Sequence, residues 1–514
     1  MSDLPMHSPS RLLPQLLVLL SFALAVIGPA TATPVPGNEL PNIGTPADVI
    51  MTPREEYELV SMITKGLRDN GQILDDLEVS EYIQSVGSTL AARAQEGTVK
   101  FTFFVVKDPG INAFALPGGF IFVNAGLILA TASESELAGV LAHEVSHVTQ
   151  RHMARKMQAA SRASLASTAA MLASIVLGAL SHSSDVGMAG VMASTSAMQQ
   201  QQLNYSRENE FEADRVGIGV SAAAGYDPYA MATFFETLNR RMGGSGANAK
   251  ILEFLQTHPV TTARVAEAKN RASDYPLVRP VDTTGYQLAR ERLKALALPT
   301  GTNPHDAYPE VAALGTDTIA DFRLYGRSLA LVQANLPKEA IPSLQGLVAR
   351  HSDTMEYHTA LGQALLAADD IEASKQVLSH AKDLFPRNVP VTVRYAETLM
   401  RANEARQAHN LLLDLFNAIP PTQDQVRLIA LAANAAGESA EADYYMAEYH
   451  VMSGDLTLAI MQLRQALATP QLTPVQRSRF KARIEELKEY LPMRLQGAVD
   501  RGEPLPSKIP DERR

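Results

Sequence analysis

The stretch Leu141-Ala142-His143-Glu144-Val145-Ser146-His147 constrains this chain more than any other, because it asks an apolar helix to carry polar side chains. Val140, Leu141, Val145 and Val148 flank the polar residues with helical spacing. Ser133 and Glu136 stand just upstream in S-x-x-E order, the start signal of a helix. Residues four apart share one helix face, so His143 and His147 present two imidazoles to one ion. Glu144 falls beside that ion rather than on it, where it can take a proton from a water molecule that the ion activates. This is the arrangement of a zinc hydrolase. The alternative, three polar residues scattered on a surface helix, conflicts with the apolar flanks, since uncompensated polar groups among them are costly.

A hydrolytic zinc takes three protein ligands, so a further His, Asp or Glu must come from another element. The best stretch is Tyr205-Ser206-Arg207-Glu208-Asn209-Glu210-Phe211-Glu212-Ala213-Asp214-Arg215. Glu210 and Asp214 are four apart on one face, and like charges at that spacing repel unless a cation sits near them. Glu208 and Glu212 fall on other faces and read as solvated. His152 lies off the metal face and reads as structural. His258 precedes a proline in a loop; its ring can swing towards the metal or simply pack the His-Pro turn. Ahead of the metal helix, residues 52–94 read as helical. The runs Phe101–Val106, Ile111–Leu116 and Phe120–Val123, separated by Asp108-Pro109-Gly110 and Pro117-Gly118-Gly119, predict a small sheet.

The chain has 514 residues, enough for two or three domains. Its net charge of −10, with no long basic run, argues against nucleic acid as a partner. Cysteine is absent, which excludes thiolate ligands, cysteine catalysis and disulfides. Arg11 precedes the apolar run Leu16–Ile27, then Gly28-Pro29 and Ala30-Thr31-Ala32. That order predicts a signal peptide over 1–32 cut before Thr33, with an uncleaved anchor as the alternative. Residues 33–51 form a flexible lead-in. The charge-free run at 163–180 is diluted with Ala, Ser and Thr. A single crossing there would put His147 and Glu210 on opposite sides of a bilayer, so it reads as a lid or membrane-contacting loop.

After a Pro/Gly/Thr-rich linker at 297–318 the chemistry stops and a repeat begins. Ala340, Ser374, Ala408 and Ala442 are spaced by 34, and Leu344, Leu378 and Leu412 keep that step. Pro386 and Pro420 close successive units, with Gly454 in the next such place. Small residues at one position and proline at the repeat end fit degenerate tetratricopeptide helix pairs over 319–491, a surface on which a partner chain can lie. The tail, 492–514, is polar.

His143-Glu144-x-x-His147 together with Glu210-x-x-x-Asp214 resembles the gluzincin metallopeptidases that include HtpX, Oma and the CaaX-prenyl proteases. The stretch from Asn112 to Gly119 and the Thr257-His258-Pro259…Arg264 segment are similar to elements of the same family. The signal-like start and the repeats extend the likeness to its β-barrel assembly-enhancing branch. The resemblance implies an α+β, mostly helical fold: a zincin metallopeptidase domain over 52–296 with a small sheet, followed by an α-solenoid. It implies one zinc ion per chain on His143, His147 and Glu210, Glu144 as general base, and Asp214 as a ligand's partner or proton donor. It also implies that His258 takes the ion's fourth position and restrains activity. An extended substrate is expected to add as a strand beside Asn112, Ala113, Phe114 and Ala115. The expected activity is periplasmic metalloendopeptidase and chaperone-like work: promoting assembly of outer-membrane β-barrel proteins and degrading misassembled ones. The expected partners are stalled barrel proteins and the barrel assembly machinery, met through the repeats, with peripheral outer-membrane contact. The alternative is a repeat-based chaperone or scaffold with vestigial proteolysis.

Overall fold

The computed structural model describes residues 53–94, 99–159, 196–242, 254–255, 257–278, 282–309, 318–470, 472–491 and 493–506. The expected signal peptide, the lead-in and the run at 163–180 lie outside these residues, as do 310–317 of the linker and 507–514 of the tail. Among the described residues, no helix is long and apolar enough to cross a membrane.

The helical region expected over 52–94 consists of two helices, α1 (Pro53–Asp69) and α2 (Leu77–Ala91). The break has a backbone cause. Gly71 takes φ 66, and the chain then runs beside the sheet, with Leu74 N donating to Val105 O at 2.8 Å. Asp76 restarts the helix by accepting from Val79 N.

The three strands are β1 (Thr102–Val106), β2 (Ala113–Leu116) and β3 (Phe120–Asn124), in the order β1-β3-β2. β3 runs parallel to β1 and antiparallel to β2, so β2 is an edge. Alternation sorts the side chains onto two faces. Phe104, Phe114, Phe120 and Phe122 turn to one, where Val60, Ile63 and Leu67 of α1 cover them. Phe114 and Phe104 each stack on Phe122 with ring centroids 5.0 Å apart. Phe103, Val105, Ala113, Ile121 and Val123 turn to the other face, into the core that holds the metal-motif helix.

After α3 (Ala125–Ala130) come α4 (Glu134–Thr149), α5 (His152–Ala159), α6 (Ser196–Ala223), α7 (Ala230–Met242), α8 (Thr262–Ala272) and α9 (Thr284–Leu296). α9 serves two cores: Tyr286 and Leu293 pack with the sheet and α4, Leu288 and Ala295 with the next domain. A short α10 (Pro304–Ala307) follows.

The rest is paired helices. These are α11 (Thr318–Gln333), α12 (Pro337–Arg350), α13 (Met355–Ala367), α14 (Ile371–Leu384), α15 (Val389–Arg401) and α16 (Ala405–Phe416). Then come α17 (Gln423–Ala435), α18 (Ser439–Met452), α19 (Leu456–Ala468), α20 (Pro474–Lys488) and α21 (Met493–Asp500). The second helices begin at Pro337, Ile371, Ala405 and Ser439, and the small residues spaced by 34 are the fourth residue of each. Ala340, Ser374, Ala408 and Ala442 are all buried there. Ser374 resolves its hydroxyl by donating to Gly362 O at 2.9 Å. A mostly helical fold with one small sheet and a helical repeat is therefore what the sequence predicts and what the chain forms.

Candidate metal centre

α4 starts as its sequence signals, with one change. Ser133 Oγ accepts from Glu136 N at 3.2 Å, but Glu136 reaches back to Ala132 N (2.7 Å) instead of the cap residue itself. The helix is buried along most of its length, so every polar group on it must find a partner. α6 crosses against it, and Gly217 allows the approach. A Cβ on Gly217 would lie 3.0 Å from His143 N, so the two backbones nearly touch. That closeness brings Glu210 and Asp214 of α6 over the motif.

Four side chains converge. His143 Nε2 lies 3.0 Å from His147 Nε2 and 3.2 Å from His258 Nδ1. Glu210 offers Oε2 at 3.4 Å to His143, Oε1 at 3.4 Å to His147, and Oε2 at 3.0 Å to His258. One donor atom from each of these four residues lies within 4.8 Å of all the others. A tetrahedron with metal–ligand bonds of about 2.0–2.1 Å has edges of about 3.3–3.4 Å. Nitrogen and carboxylate oxygen donors at these separations fit one zinc-sized ion. His143, Glu210 and His258 are buried and His147 is nearly so, which makes the polar cluster costly unless something binds it together.

The electrostatics follow the crowding. Burial opposes charge on Glu210, yet His258, His143 and His147 hold its carboxyl well below the usual range. Burial pushes His147 down to about 3. His143 is raised, against its burial, by Asp214 and Glu210. Glu144 is raised by burial, although His258 and His143 pull the other way. Its Oε1 lies 3.4 Å from His258 Nε2, and Ala115 on the edge strand supplies a backbone hydrogen bond to the carboxylate. His258 therefore faces the ion's place with one nitrogen and Glu144 with the other. Asn112, at the foot of β2, sits 3.5 Å from the hydroxyl of Thr257, the residue before His258.

Behind the cluster stands Asp214, expected from the sequence as a ligand's partner or proton donor, together with contacts that sequence reasoning did not foresee. Asp214 Oδ1 lies 2.9 Å from His143 Nδ1. Arg264 grips Asp214 with a two-pronged contact (Nε–Oδ2 2.7 Å, Nη2–Oδ1 2.8 Å). Its Nη1 meets Glu210 Oε2 at 2.9 Å and Pro259 O at 2.9 Å. Burial opposes charge on Asp214, but Arg264 and then His143 keep its carboxyl below the usual range. His152, expected off the metal face, places Nδ1 2.7 Å from His147 Nδ1. The helical wheel misses this because α4 ends before it: Arg151 takes φ 54 and folds α5 back across His147. Glu212, expected to be solvated, contacts His152 and Arg155. Glu208 is exposed, as expected.

Residues 78–272, from α2 to α8, match the Peptidase family M48 model. The putative beta-barrel assembly-enhancing protease of Vibrio cholerae is 32% identical over 452 residues, 87% of this chain and 92% of its own length. The beta-barrel assembly-enhancing protease of Escherichia coli K12 is 30% identical over 475 residues, 92% and 95% of the two chains. The mitochondrial metalloendopeptidase OMA1 of Schizosaccharomyces pombe is 32% identical over 202 residues, 38% of this chain and 56% of that one. The likeness thus narrows to the protease domain in one direction and runs through the repeats in the other. The chain is a metallopeptidase of family M48 and belongs with the β-barrel assembly-enhancing proteases.

Proposed function

We propose that this chain is a zinc-dependent endopeptidase of the periplasm that promotes assembly of outer-membrane β-barrel proteins and degrades those that stall. The observation that carries the reading is the convergence of His143, His147 and Glu210 on one point, with Glu144 beside it. The names of the relatives support the role in barrel assembly. The apolar run Leu16–Ile27 supports export.

His143, His147 and Glu210 would hold the ion, and a His/His/carboxylate set favours zinc. When bound, it supplies Lewis acidity to a water molecule and to the scissile carbonyl. Glu144 takes the proton from the attacking water and delivers it to the leaving amine, so it ends the cycle ionised again. Its raised pKa suits a group that must both accept and give up a proton. Asp214 keeps Nδ1 of His143 engaged and so turns Nε2 to the ion. Gripped by Arg264 and facing His143 Nδ1, Asp214 serves as an orienting acceptor. The substrate adds as a strand along β2, the edge strand of the sheet, at Asn112, Ala113, Phe114 and Ala115, where backbone pairing gives affinity with little sequence preference.

His258 restrains this machinery at two points. Its Nδ1 stands where the attacking water would have to be, and its Nε2 lies 3.4 Å from the base, Glu144. Catalysis then waits until the loop carrying it moves. The test is cleavage of an unfolded outer-membrane barrel protein by wild type, Glu144→Gln and His258→Ala, with zinc content measured on each. Cleavage lost in Glu144→Gln and raised in His258→Ala supports a latent protease. Fully zinc-loaded wild type and His258→Ala that both leave the barrel intact overturn it and leave the repeats, acting as a scaffold, as the working part.

A further inference from the structure

The two histidines of the motif rest on unlike supports. Behind His143 stands a carboxylate, Asp214, clamped by Arg264. Behind His147 stands another imidazole. His152 Nδ1 lies 2.7 Å from His147 Nδ1, and its far nitrogen, Nε2, lies 3.1 Å from Glu212 Oε2. Glu212 in turn accepts from Arg155 Nη2 at 2.7 Å, and the same nitrogen donates to Asn209 Oδ1 at 3.0 Å. Asn209 is the chain neighbour of Glu210, so the array runs from one ligand to the residue beside another.

Donor and acceptor counting fixes the protons along this line. His147 turns Nε2 to the cluster, so as a neutral ligand it carries its proton on Nδ1. His152 Nδ1 must then offer its lone pair, which leaves its own proton on Nε2, facing the Glu212 carboxylate. The opposite tautomer of His152 would set N–H against N–H at 2.7 Å and a lone pair against a carboxylate at 3.1 Å. The carboxylate therefore selects the tautomer of His152, and His152 selects that of His147. At 5% exposure His152 leaves little room for water to take over its acceptor role.

We infer that His152 is a positioning residue for the metal site, set by Glu212: it holds His147 in the tautomer and ring orientation that present Nε2 to the ion. This rests on the metal reading given above. Loss of such an outer hydrogen-bond partner costs about 10–100-fold in metal affinity.

The experiment measures zinc retention by the full chain against a chelator of known affinity, with apo-protein melting recorded in parallel. His152→Phe keeps the ring and removes the acceptor. His152→Asn places a carbonyl oxygen where Nδ1 lies and restores it. The expected result is zinc held about 10–100-fold more weakly by His152→Phe, with most of the loss recovered in His152→Asn. Glu212→Ala, at the rim, is expected to lose several-fold in the same direction. Equal retention by wild type and His152→Phe overturns the inference, as does an equal loss in His152→Phe and His152→Asn. Should His152→Phe fail to fold, Glu212→Ala decides: retention equal to wild type overturns the role of the chain of contacts. Wild type that binds no zinc would instead sink the metal reading itself.

Discussion

At the scale of single residues, the motif and Asp214 behind it were readable, and the roles of Arg264 and His152 were not. H-E-x-x-H declares itself because its spacing is local, and α4 keeps that spacing. Arg264 comes from another helix, and no local pattern says that its guanidinium meets Asp214, Glu210 and Pro259 O together. His152 is hidden by one left-handed residue, Arg151. Arg264 is 2% exposed and sits 4.9 Å over the Phe235 ring, so its buried charge is met by two carboxylates, the Pro259 carbonyl and an aromatic face. Arg264→Lys keeps the charge but loses the fork that grips Asp214. It is expected to fold and to lose about 10–100-fold in kcat or zinc affinity. Arg264→Leu removes the arginine partner that two buried carboxylates share and is expected to lose about 3–5 kcal/mol of stability. Denaturant unfolding and zinc titration separate the two outcomes. A lysine variant with wild-type activity would show that the fork is dispensable.

Elements behave differently, because their period is written in the sequence but their breaks depend on single backbone angles. The strands fall where β-branched and aromatic runs place them, since the sheet is covered on both faces and each strand is apolar apart from Thr102 and Asn124 at strand ends. The helical region at 52–94 breaks into two helices where Gly71 takes a positive φ, and a glycine in a helical pattern does not announce which choice it makes. Gly217 is the converse: a glycine inside α6 whose need is purely spatial. A side chain there would press on His143 N and Ala142 within 3.0–3.1 Å. Gly217→Val is expected to push α6 off α4, to cost about 1–3 kcal/mol by overpacking, and to weaken zinc binding because Glu210 moves with α6. Gly217→Ala, smaller and unbranched, should lose less on both counts. Wild-type zinc affinity in a folded Gly217→Val variant would show that Glu210 is placed by something other than this close contact.

At the scale of the whole molecule, the repeat was legible through its buried small residues, and a second marker of it is visible once the turns are known. Asn335, Asp369, Asn403 and Gly437 all take positive φ between paired helices, at the same 34-residue step. What spacing could not show is where the repeats rest. Several of their first helices meet the protease domain: Tyr325 of α11 and Arg394 of α15 reach the buried junction around Arg292, while Gln423 of α17 meets Arg68 of α1. At that junction Arg292 holds Asp76 at 2.6 Å and Glu78 at 2.8 Å, and Arg394 adds a contact to Glu78 at 3.3 Å. Asp76 also caps α2, so one carboxylate serves both the helix start and the domain contact. Burial alone would raise Glu78, but Arg292 and Arg394 outweigh it and hold the carboxyl down to about 2, against an ordinary 4.5. A depressed folded-state value stabilises the charged form. Its contribution is complete above about pH 4.5 and is lost as pH falls through about 2. Acidification across that window is therefore expected to loosen α2 from α15 before the repeats themselves unfold, since their cores are built from apolar side chains. Hydrogen exchange at pH 7 and at about pH 3 should show protection lost first in residues 77–91 and 389–401. Glu78→Gln is expected to be less stable at pH 7, because Arg394 then has no charged partner on α2, and to respond less to pH between about 4.5 and 2. An equally steep acid response in Glu78→Gln would place the acid-sensitive contact elsewhere and remove the buried arginine pair from its assigned role of holding the two domains together.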